Sequence, residues 1–306
     1  MPTTAYLFPG QGSQYVGMGK DLCEQSDAAR ELFKKADAIL GVPLSRICFE
    51  GPEEELKQTK NTQPGIFLHS VILTRMIERS DVAMVAGHSL GEYSALVFAG
   101  ALTFEDGLKL VRVRGELMQR AGEEQKGTMA AVVGLLPDIL VEICREAGSA
   151  GIVQCANLNS PGQIVISGSV SGVHRAMEIA KSKGAKLVKE LVVSGAFHSP
   201  LMQSAQKGLH SALGQTAIRD TRIPVYANVT GRPVEKAEEI RRLLEEQLTS
   251  PVQWEASIQN MIGDGATNFV EIGPGKVLQG LVKRINNGVN VMGIERFDDM
   301  PKMIEV

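Results

Sequence analysis

The segment 87–91, Gly-His-Ser-Leu-Gly, constrains the fold more than any other feature, because it places a serine between two glycines. An apolar run at 82–86 (VAMVA) precedes it, and a helix-forming run at 92–97 (EYSALV) follows it. Strand, tight turn and helix in this order are the context in which a G-x-S-x-G turn displays a nucleophile. The glycines are needed because side chains there would collide with the strand and the helix. The alternative is a structural turn that contains a serine.

Such a turn also prepares the serine for chemistry. The Ser89 hydroxyl would lie at a helix N-terminus, among N–H groups that have no intrahelical acceptor. Those donors and the helix dipole favour the negative charge that develops on an attacked carbonyl oxygen. The pattern therefore predicts an enzyme that uses a covalent serine intermediate.

Composition narrows the class of protein. A chain of 306 residues, 43% of them hydrophobic and 22% charged, can bury one large core or a large core with a smaller lobe. A formal charge of −3 provides no overall basic field for nucleic acid or membrane surfaces, so an acidic partner must dock on a local patch. The four cysteines form no C-x-x-C pair or metal-ligand pattern with the histidines, so we expect reduced thiols and no metal. Without a basic leader or an apolar run of about 20 residues, we expect a cytoplasmic protein.

The hydrophobic pattern predicts two structural units. A strand at 5–8, helices at 20–40, 64–78 and 104–121, and a strand near 269–272 indicate a mainly parallel sheet. Strands at 129–134, 152–156, 163–168 and 186–193 alternate with helices at 139–147 and 173–183 in the order β-α-β-β-α-β. We therefore predict an α/β fold. An α/β-hydrolase-like large domain (1–126 and 196–306) would carry an inserted ferredoxin-like subdomain (127–195).

A serine nucleophile needs a base, and His198 is the best candidate. It follows the last strand of the inserted unit, where a cleft between two lobes is expected. His69 lies in an apolar stretch and is predicted to be a core residue, whereas His174 and His210 occupy polar helical positions. His88 adjoins the serine, but successive strand residues point to opposite faces, so we assign it a structural role.

Seven segments in one order carry a resemblance to a known family over nearly the whole chain. They are 8–14 (FPGQGSQ), 87–93 (GHSLGEY), 113–115 (VRG), 159–163 (NSPGQ), 196–202 (AFHSPLM), 251–254 (PVQW) and 271–276 (EIGPGK). Together they resemble the malonyl-CoA:acyl carrier protein transacylases of bacterial fatty acid synthesis. Each segment alone would be a weak signal, whereas seven in register are specific.

The resemblance implies a role for each matching position. Ser89 would carry the malonyl group as an ester, and His198 would take the serine proton and return a proton to the leaving thiol. Gln11 and Leu90 would donate backbone N–H groups to the oxyanion. A main-chain carbonyl, placed at Gln247, would orient the base in place of an aspartate. Malonyl-CoA would be the substrate, acyl carrier protein the partner, and no cofactor would be needed.

Arg114 separates this interpretation from a generic hydrolase, because a guanidinium fork holds a carboxylate through two parallel hydrogen bonds. The alternative is a solvated helix arginine, and Arg112, which faces elsewhere on the helix, provides an internal contrast. Met118, one turn further, lines the same pocket or belongs to the core. Asn157 and Gln63 resemble polar positions beside the family's site, with loop and cap residues as the alternative.

Phe197, directly before the base, bears on the choice of acyl group. In related acyltransferases of polyketide assembly, phenylalanine here accompanies malonyl and serine accompanies methylmalonyl. The ring would crowd the carbon that carries the extra methyl group, and one methyl group in a pocket is worth about 1–3 kcal/mol. We therefore expect the site to favour malonyl.

The carrier proteins of this family are acidic, which predicts a basic patch beside the pocket. Its candidate members, for which ordinary solvation is the alternative, are Lys181, Lys183, Lys186, Lys189, Lys283 and Arg284.

Three other functions compete with this interpretation. A serine thioesterase or lipase-like hydrolase usually presents an acid between serine and histidine, and none stands out between Ser89 and His198. A non-catalytic docking protein would have no need to retain Ser89, His198, Gln11 and Arg114 together. A malonyl transferase that serves a polyketide synthase in trans would use the same residues.

Overall fold

The computed structural model describes residues 3–77 and 81–303, with side chains described up to residue 300. The strands are β1 Thr3–Phe8, β2 Val82–Gly87, β3 Gly127–Val133, β4 Val153–Ser160, β5 Gln163–Ser169, β6 Leu187–Glu190, β7 Val225–Tyr226, β8 Pro233–Val234, β9 Ala266–Ile272 and β10 Asn290–Ile294. The α-helices are α1 Lys20–Gln25, α2 Asp27–Leu40, α3 Leu44–Glu50, α4 Glu53–Leu56, α5 Thr59–Met76, α6 Gly91–Phe98, α7 Phe104–Glu124, α8 Pro137–Ala147, α9 Val170–Ser182, α10 Gln203–Gly214, α11 Ala237–Glu246, α12 Trp254–Gly263 and α13 Val277–Ile285. Within these ranges, no helix has the length and apolar content needed to cross a membrane.

The larger sheet has the strand order β10-β9-β1-β2-β7-β8. Its pairings are parallel, except that β8 runs antiparallel to β7. Successive side chains of β1 point to opposite faces, so Tyr6 and Phe8 pack in the core beneath α5, α6 and α7. Ala5 and Leu7 pack in a second core beneath α12 and α13. The mainly parallel sheet predicted from the alternation of strands and helices is confirmed, with helices on both faces.

The smaller sheet is antiparallel, with the order β4-β5-β3-β6. This is the strand order of a ferredoxin-like β-α-β-β-α-β unit, as predicted. Val132 and Ile166 pack with α8 and α9 on one face, whereas Met129 and Val165 on the other face belong to the main core. The backbone of Val252, which follows α11, pairs with β4 and so connects the smaller sheet to the rest of the structure.

Several predicted boundaries are wrong for local reasons. The helix predicted at 20–40 is interrupted at Ser26, whose hydroxyl accepts a hydrogen bond from the Ala29 N–H and caps the start of α2. The helix predicted from residue 64 begins at Thr59, so Pro64 lies inside α5. Proline cannot donate to the carbonyl of Lys60, and Arg112 Nη1 bonds to that oxygen instead, at 3.1 Å. The predicted end of this helix, residue 78, lies outside the described residues.

Other differences concern short elements. Strand β4 continues to Ser160, so the turn of its hairpin consists only of Pro161 and Gly162. Strand β6 is shorter than predicted, and α7 continues to Glu124. Sequence reasoning gave no bounds for α3, α4, β7, β8 and β10, because periodicity is weak over segments of two to seven residues. It also gave none for the longer helices α10, α11, α12 and α13.

The two glycines of the 87–91 turn are required by close backbone contacts, as predicted. A Cβ atom on Gly87 would lie 1.9 Å from the carbonyl carbon of Gly91. A Cβ atom on Gly91 would lie 2.1 Å from the carbonyl oxygen of Phe8 in β1. Helix α6 therefore starts directly against the sheet, and the serine is held at the carboxyl end of β2, an interior strand.

Replacement of Gly91 by alanine is expected to lower the free energy of unfolding by about 2 kcal/mol or more, because the clash is with backbone that cannot move aside. Gly280 provides a matched control, since it lies in α13 and a Cβ there meets no atom within 4 Å. Gly280→Ala should raise the free energy of unfolding by up to about 1 kcal/mol. Thermal and urea unfolding of both variants measures the difference, and equal stabilities would contradict the packing described for the turn.

Candidate active site

The nucleophile region is defined by the backbone of Ser89. Its φ angle of 51° is in the left-handed region, and among the described non-glycine residues only His198, at 56°, shares a positive φ. The Ser89 N–H donates to Asn228 Oδ1 at 2.6 Å, and Asn228 Nδ2 donates to the Gly87 carbonyl at 2.6 Å. One asparagine thus holds the turn in a strained conformation, and strain of this kind is typical of functional positions.

Ser89 and His198 form a nucleophile and base pair. The Ser89 Oγ atom lies 2.9 Å from His198 Nε2, and His198 Nδ1 lies 2.8 Å from the carbonyl oxygen of Gln247. Because a carbonyl only accepts, Nδ1 carries the proton and Nε2 is free to accept the serine proton. The geometry matches the arrangement that the resemblance implied, with a main-chain carbonyl in the place of a triad acid.

The electrostatic environment keeps His198 neutral. Burial, together with the positive charge of Arg114, lowers the pKa of His198 to about 3. The hydrogen bond to the Gln247 carbonyl acts in the opposite direction and is weaker. The imidazole is therefore an acceptor for the serine proton across the neutral pH range.

Arg114 is fully buried and points at the nucleophile, so the solvated alternative is wrong. Its Nη2 donates to Ser89 Oγ at 3.0 Å and to Gln247 Oε1 at 2.7 Å, and its Nη1 donates to Gln63 Oε1 at 2.8 Å. Gly115 permits this position because α7 approaches α5 so closely that a Cβ there would lie 2.7 Å from the Thr59 carbonyl oxygen.

Arg112 faces away from the pocket, as the helical spacing predicted. Its Nε bonds to Glu116 at 2.5 Å, and its Nη1 bonds to Asn61 Oδ1 at 2.9 Å in addition to the Lys60 carbonyl. Two arginines on one helix thus have separate functions, one in the site and one in the packing of α5.

A pocket of about 230 Å³ opens above Ser89 and is closed on one side by the smaller subdomain. Its lining includes nine of the ten predicted site residues: Gln11, Gln63, Ser89, Leu90, Arg114, Met118, Asn157, Phe197 and His198. The tenth, Gln247, lies beneath them and reaches both Arg114 and His198. The apolar side chains that line the pocket include Met118, Met129, Val165, Leu191, Val193 and Phe197. The structure therefore gathers the predicted residues in one place, and their roles towards a substrate stay predictions.

Gln11 and Leu90, the two predicted oxyanion residues, line the pocket beside Ser89. Leu90 precedes the first residue of α6, and Gln11 follows β1. Within the described part of the chain, neither backbone amide donates to another group. The loop that carries Gln11 is held against the turn, because a Cβ on Gly10 would lie 2.5 Å from the carbonyl oxygen of His88. The binding of an oxyanion by these two amides stays a prediction.

Sequence reasoning missed four residues that shape the site. Asn228 and Gln154 carry no local signal, because they reach the site only through the tertiary fold. The Gln154 Nε2 donates to the carbonyls of His198 at 2.8 Å and Thr249 at 3.1 Å, which ties the base to the segment that follows Gln247.

The other two missed residues lay within segments already singled out. Glu92 follows the turn directly and is buried beneath it. Asn159 lies in the 159–163 segment, and its Oδ1 is 2.9 Å from His88 Nε2. His88 also packs against Trp254, with ring centroids 5.4 Å apart, which agrees with a structural role.

The remaining histidines and the basic residues are distributed as follows. His69 is buried in the core, as predicted, and His174 and His210 lie on the surface beside glutamates. The side chains of the proposed basic patch are exposed, and Arg284 hydrogen-bonds to Gln163 at the pocket rim. Two lysines, at 181 and 183, lie at the end of α9 on the opposite face of the small sheet from the pocket.

A family model described as the acyl transferase domain matches residues 5–304. This chain belongs to the acyl transferase family. It is 47% identical over 297 residues to the malonyl CoA-acyl carrier protein transacylase of Bacillus subtilis (strain 168), which covers 96% of this chain and 94% of that protein. It is 42% identical to the transacylase of the same name from Staphylococcus aureus (strain MRSA252), over 98% of both chains.

Solved acyl transferase structures have the same fold. The malonyl CoA-acyl carrier protein transacylase of Coxiella burnetii superposes with a TM-score of 0.96 at 38% identity, over 99% of this chain and 97% of that one. A malonyl-transacylase in complex with a type II polyketide synthase acyl-carrier protein superposes with a TM-score of 0.95 at 38% identity, over 99% of each chain. The predicted α/β-hydrolase-like domain with a small subdomain is thus the fold of this family.

The low pKa of His198 predicts an unusual pH profile for acylation of Ser89 by a neutral ester such as p-nitrophenyl acetate. The rate should change little between roughly pH 5 and 8, because His198 stays neutral over this range. A histidine with the ordinary pKa of about 6.5 would titrate within it. In Arg114→Ala, loss of the neighbouring positive charge should raise the pKa of His198 and move the acid limb to higher pH.

Acetyl-enzyme formation measured by intact mass at each pH tests this profile. Arg112→Ala is the control and should leave the profile unchanged. An acid limb near the ordinary histidine pKa of about 6.5 in the unmodified protein would contradict the low pKa of His198. The absence of a shift in Arg114→Ala would contradict the influence of Arg114 on that pKa.

Proposed function

We propose that this protein transfers the malonyl group of malonyl-CoA, through an ester on Ser89, to the phosphopantetheine thiol of acyl carrier protein, and so supplies malonyl units for fatty acid synthesis. The observation that carries the proposal is the buried guanidinium of Arg114, whose Nη2 lies 3.0 Å from the nucleophilic oxygen. A buried cation this close to the nucleophilic oxygen can pair with a free carboxylate at the other end of the acyl group.

The first step is acylation of Ser89. His198 Nε2 takes the hydroxyl proton as Oγ bonds to the thioester carbonyl carbon, and the N–H groups of Gln11 and Leu90 bind the oxygen that becomes negative. The C–S bond then breaks, and the protonated imidazole returns its proton to the coenzyme A sulfur. His198 is neutral again when the ester has formed.

The second step runs the same chemistry with a new thiol. The phosphopantetheine sulfhydryl gives its proton to His198 and attacks the ester carbonyl, and Ser89 leaves with that proton. Two half-reactions that share a covalent intermediate predict ping-pong kinetics. Because exchange between thioester and ester changes no oxidation state and is nearly balanced in energy, we propose that no cofactor takes part. We also propose that the enzyme acts in the cytoplasm.

The pocket wall supports the choice of malonyl over larger acyl groups. Phe197 lines the pocket directly before the base, and the residue is 6% exposed. A methyl branch on the central carbon of the acyl group would meet this ring, which we expect to disfavour methylmalonyl by about 1–3 kcal/mol. The apolar wall also limits the entry of water, the competing acceptor for the ester.

Intact-mass measurement tests the function directly. Incubation with malonyl-CoA should add one malonyl group to the protein, and Ser89→Ala should remain unmodified. Addition of holo acyl carrier protein should move the group to the carrier. Rapid release of free malonate without transfer would identify a hydrolase, and the absence of any adduct would identify a docking protein.

The malonyl-transacylase that was solved with a polyketide carrier makes trans-acting supply of a polyketide synthase the second candidate function. The same experiment distinguishes the two when the malonylated enzyme is offered a fatty acid carrier and a type II polyketide carrier in equal amounts. Faster transfer to the fatty acid carrier supports the proposal, and faster transfer to the other carrier supports the alternative.

Arg114 variants test the carboxylate contact. Arg114→Ala should lower kcat/KM for malonyl-CoA by about 100-fold or more, because a buried pair of charge-assisted hydrogen bonds is lost. The kcat/KM for acetyl-CoA, which has no carboxylate, should hold or rise. Arg114→Lys should recover only part of the malonyl activity, since a point charge lacks the planar fork.

Arg112→Ala is the matched control, an arginine two positions away on the same helix that faces α5. It should leave the ratio of malonyl to acetyl activity unchanged. An equal loss of both activities in Arg114→Ala would show that Arg114 is not a carboxylate ligand.

A further inference from the structure

Glu92 is a buried carboxylate that the reaction above does not use. It lies in the first turn of α6, beneath Ser89, and is 3% exposed. Its Oε2 accepts hydrogen bonds from the Asn228 N–H at 3.0 Å and from Gln247 Nε2 at 2.8 Å. Carboxylates are rarely buried unless they are paired, so this position calls for a compensating charge.

The two partners of Glu92 connect it to the whole site. Asn228 Oδ1 accepts from the Ser89 N–H, as described above, and Gln247 Nε2 also donates to the Ser89 carbonyl at 3.1 Å. The other end of the Gln247 side chain, Oε1, accepts from Arg114 Nη2 at 2.7 Å. A single amide group therefore bridges the carboxylate of Glu92 and the guanidinium of Arg114.

Arg114 is a buried cation that forms no direct ion pair with any described residue. Its side-chain hydrogen bonds within the described part of the chain go to the neutral oxygens of Gln63, Ser89 and Gln247. The groups whose negative charge acts on it are Glu92 and Tyr93. Burial raises the pKa of Tyr93, so its phenol stays neutral and Glu92 is left as the negative partner.

We propose that Glu92 is the counter-ion of Arg114 in the unacylated enzyme and, through that charge, sets how strongly the site prefers an anionic acyl group. The part concerning acyl groups rests on the proposed function. Glu92 partly neutralises Arg114 and repels a second carboxylate, so it weakens the hold on malonyl while it stabilises the empty site. The charge of Glu92 thus limits over-tight binding of a group that must be passed on.

The protonation state fixes the conditions of the test. Burial raises the pKa of Glu92 to about 7, against the opposing influence of the Asn228 N–H, the Gln247 amide and the charge of Arg114. At about pH 8 the carboxyl group is mostly ionised, so its removal is felt as the loss of a charge.

The first experiment is a stability cycle at that pH, which requires no activity. Glu92→Gln, which keeps the shape and an acceptor oxygen, should lower the thermal midpoint by about 5 °C, because Arg114 is left buried without its counter-charge. In an Arg114→Met background the same substitution should no longer lower the midpoint, since Glu92 then has no cation to pair with and its pKa rises further, which favours the neutral carboxyl group. The double variant contains neither charge, so it remains measurable even if Glu92→Gln unfolds.

Glu271→Gln is the matched control for this cycle. Glu271 is also buried and also accepts two N–H hydrogen bonds, in its case both from backbone groups, those of Leu278 and Gln279 at 3.1 Å. Its substitution should change stability by the same amount with or without Arg114→Met. If Glu92→Gln behaves in the same additive way, Glu92 is only a structural hydrogen-bond acceptor and the proposal is overturned.

The second experiment measures acyl selectivity. At about pH 8, Glu92→Gln should raise the malonyl-to-acetyl ratio of kcat/KM by about five-fold or more and lower KM for malonyl-CoA, because the site gains one net positive charge. Glu271→Gln should leave the ratio unchanged. Equal losses of both activities in Glu92→Gln would overturn the proposal. A failure of the unmodified enzyme to accept malonyl would instead overturn the proposed function, and the stability cycle would still decide whether Glu92 and Arg114 are coupled.

Discussion

The contact between the start of α6 and strand β1 is the constraint on which the site depends. Gly91 lies so close to the Phe8 carbonyl that no side chain fits between them. This contact sets the serine, in a left-handed conformation, at the carboxyl end of β2 and turns the helix N-terminus towards the pocket. The loop after β1 is held against the same turn, because a Cβ on Gly10 would lie 2.5 Å from the carbonyl oxygen of His88. The positions of Ser89 and of the Gln11 loop therefore both depend on close backbone packing.

Gln247 connects the remaining parts of the site, because it acts through both its main chain and its side chain. Its carbonyl orients His198, its Oε1 accepts from Arg114, and its Nε2 donates to Glu92. His198, Arg114 and Glu92 are thus positioned by one residue. A shift of that residue would disturb the contacts of all three side chains together.

The small subdomain contributes more to the site than its size suggests. One face of its sheet provides Met129 and Val165 to the pocket wall, and the edge strand β4 provides Gln154 to the carbonyl of His198. The subdomain therefore both narrows the acyl pocket and steadies the base. The inserted sheet thus provides part of the apolar cover of the pocket.

The sequence by itself determined the elements and the chemistry that depend on local pattern. The 87–91 segment predicts the turn because only glycines fit its flanks, and the β-α-β-β-α-β order of the insertion follows from hydrophobic periodicity. His198 and Arg114 were identified from short motifs. Only the tertiary structure decided that Asn228, Gln154 and Glu92 belong to the site, because their partners lie from 44 to 155 residues away along the chain. It also decided that Arg114 is buried and Arg112 is not part of the pocket, since helical spacing separates two faces but does not say which face meets the nucleophile.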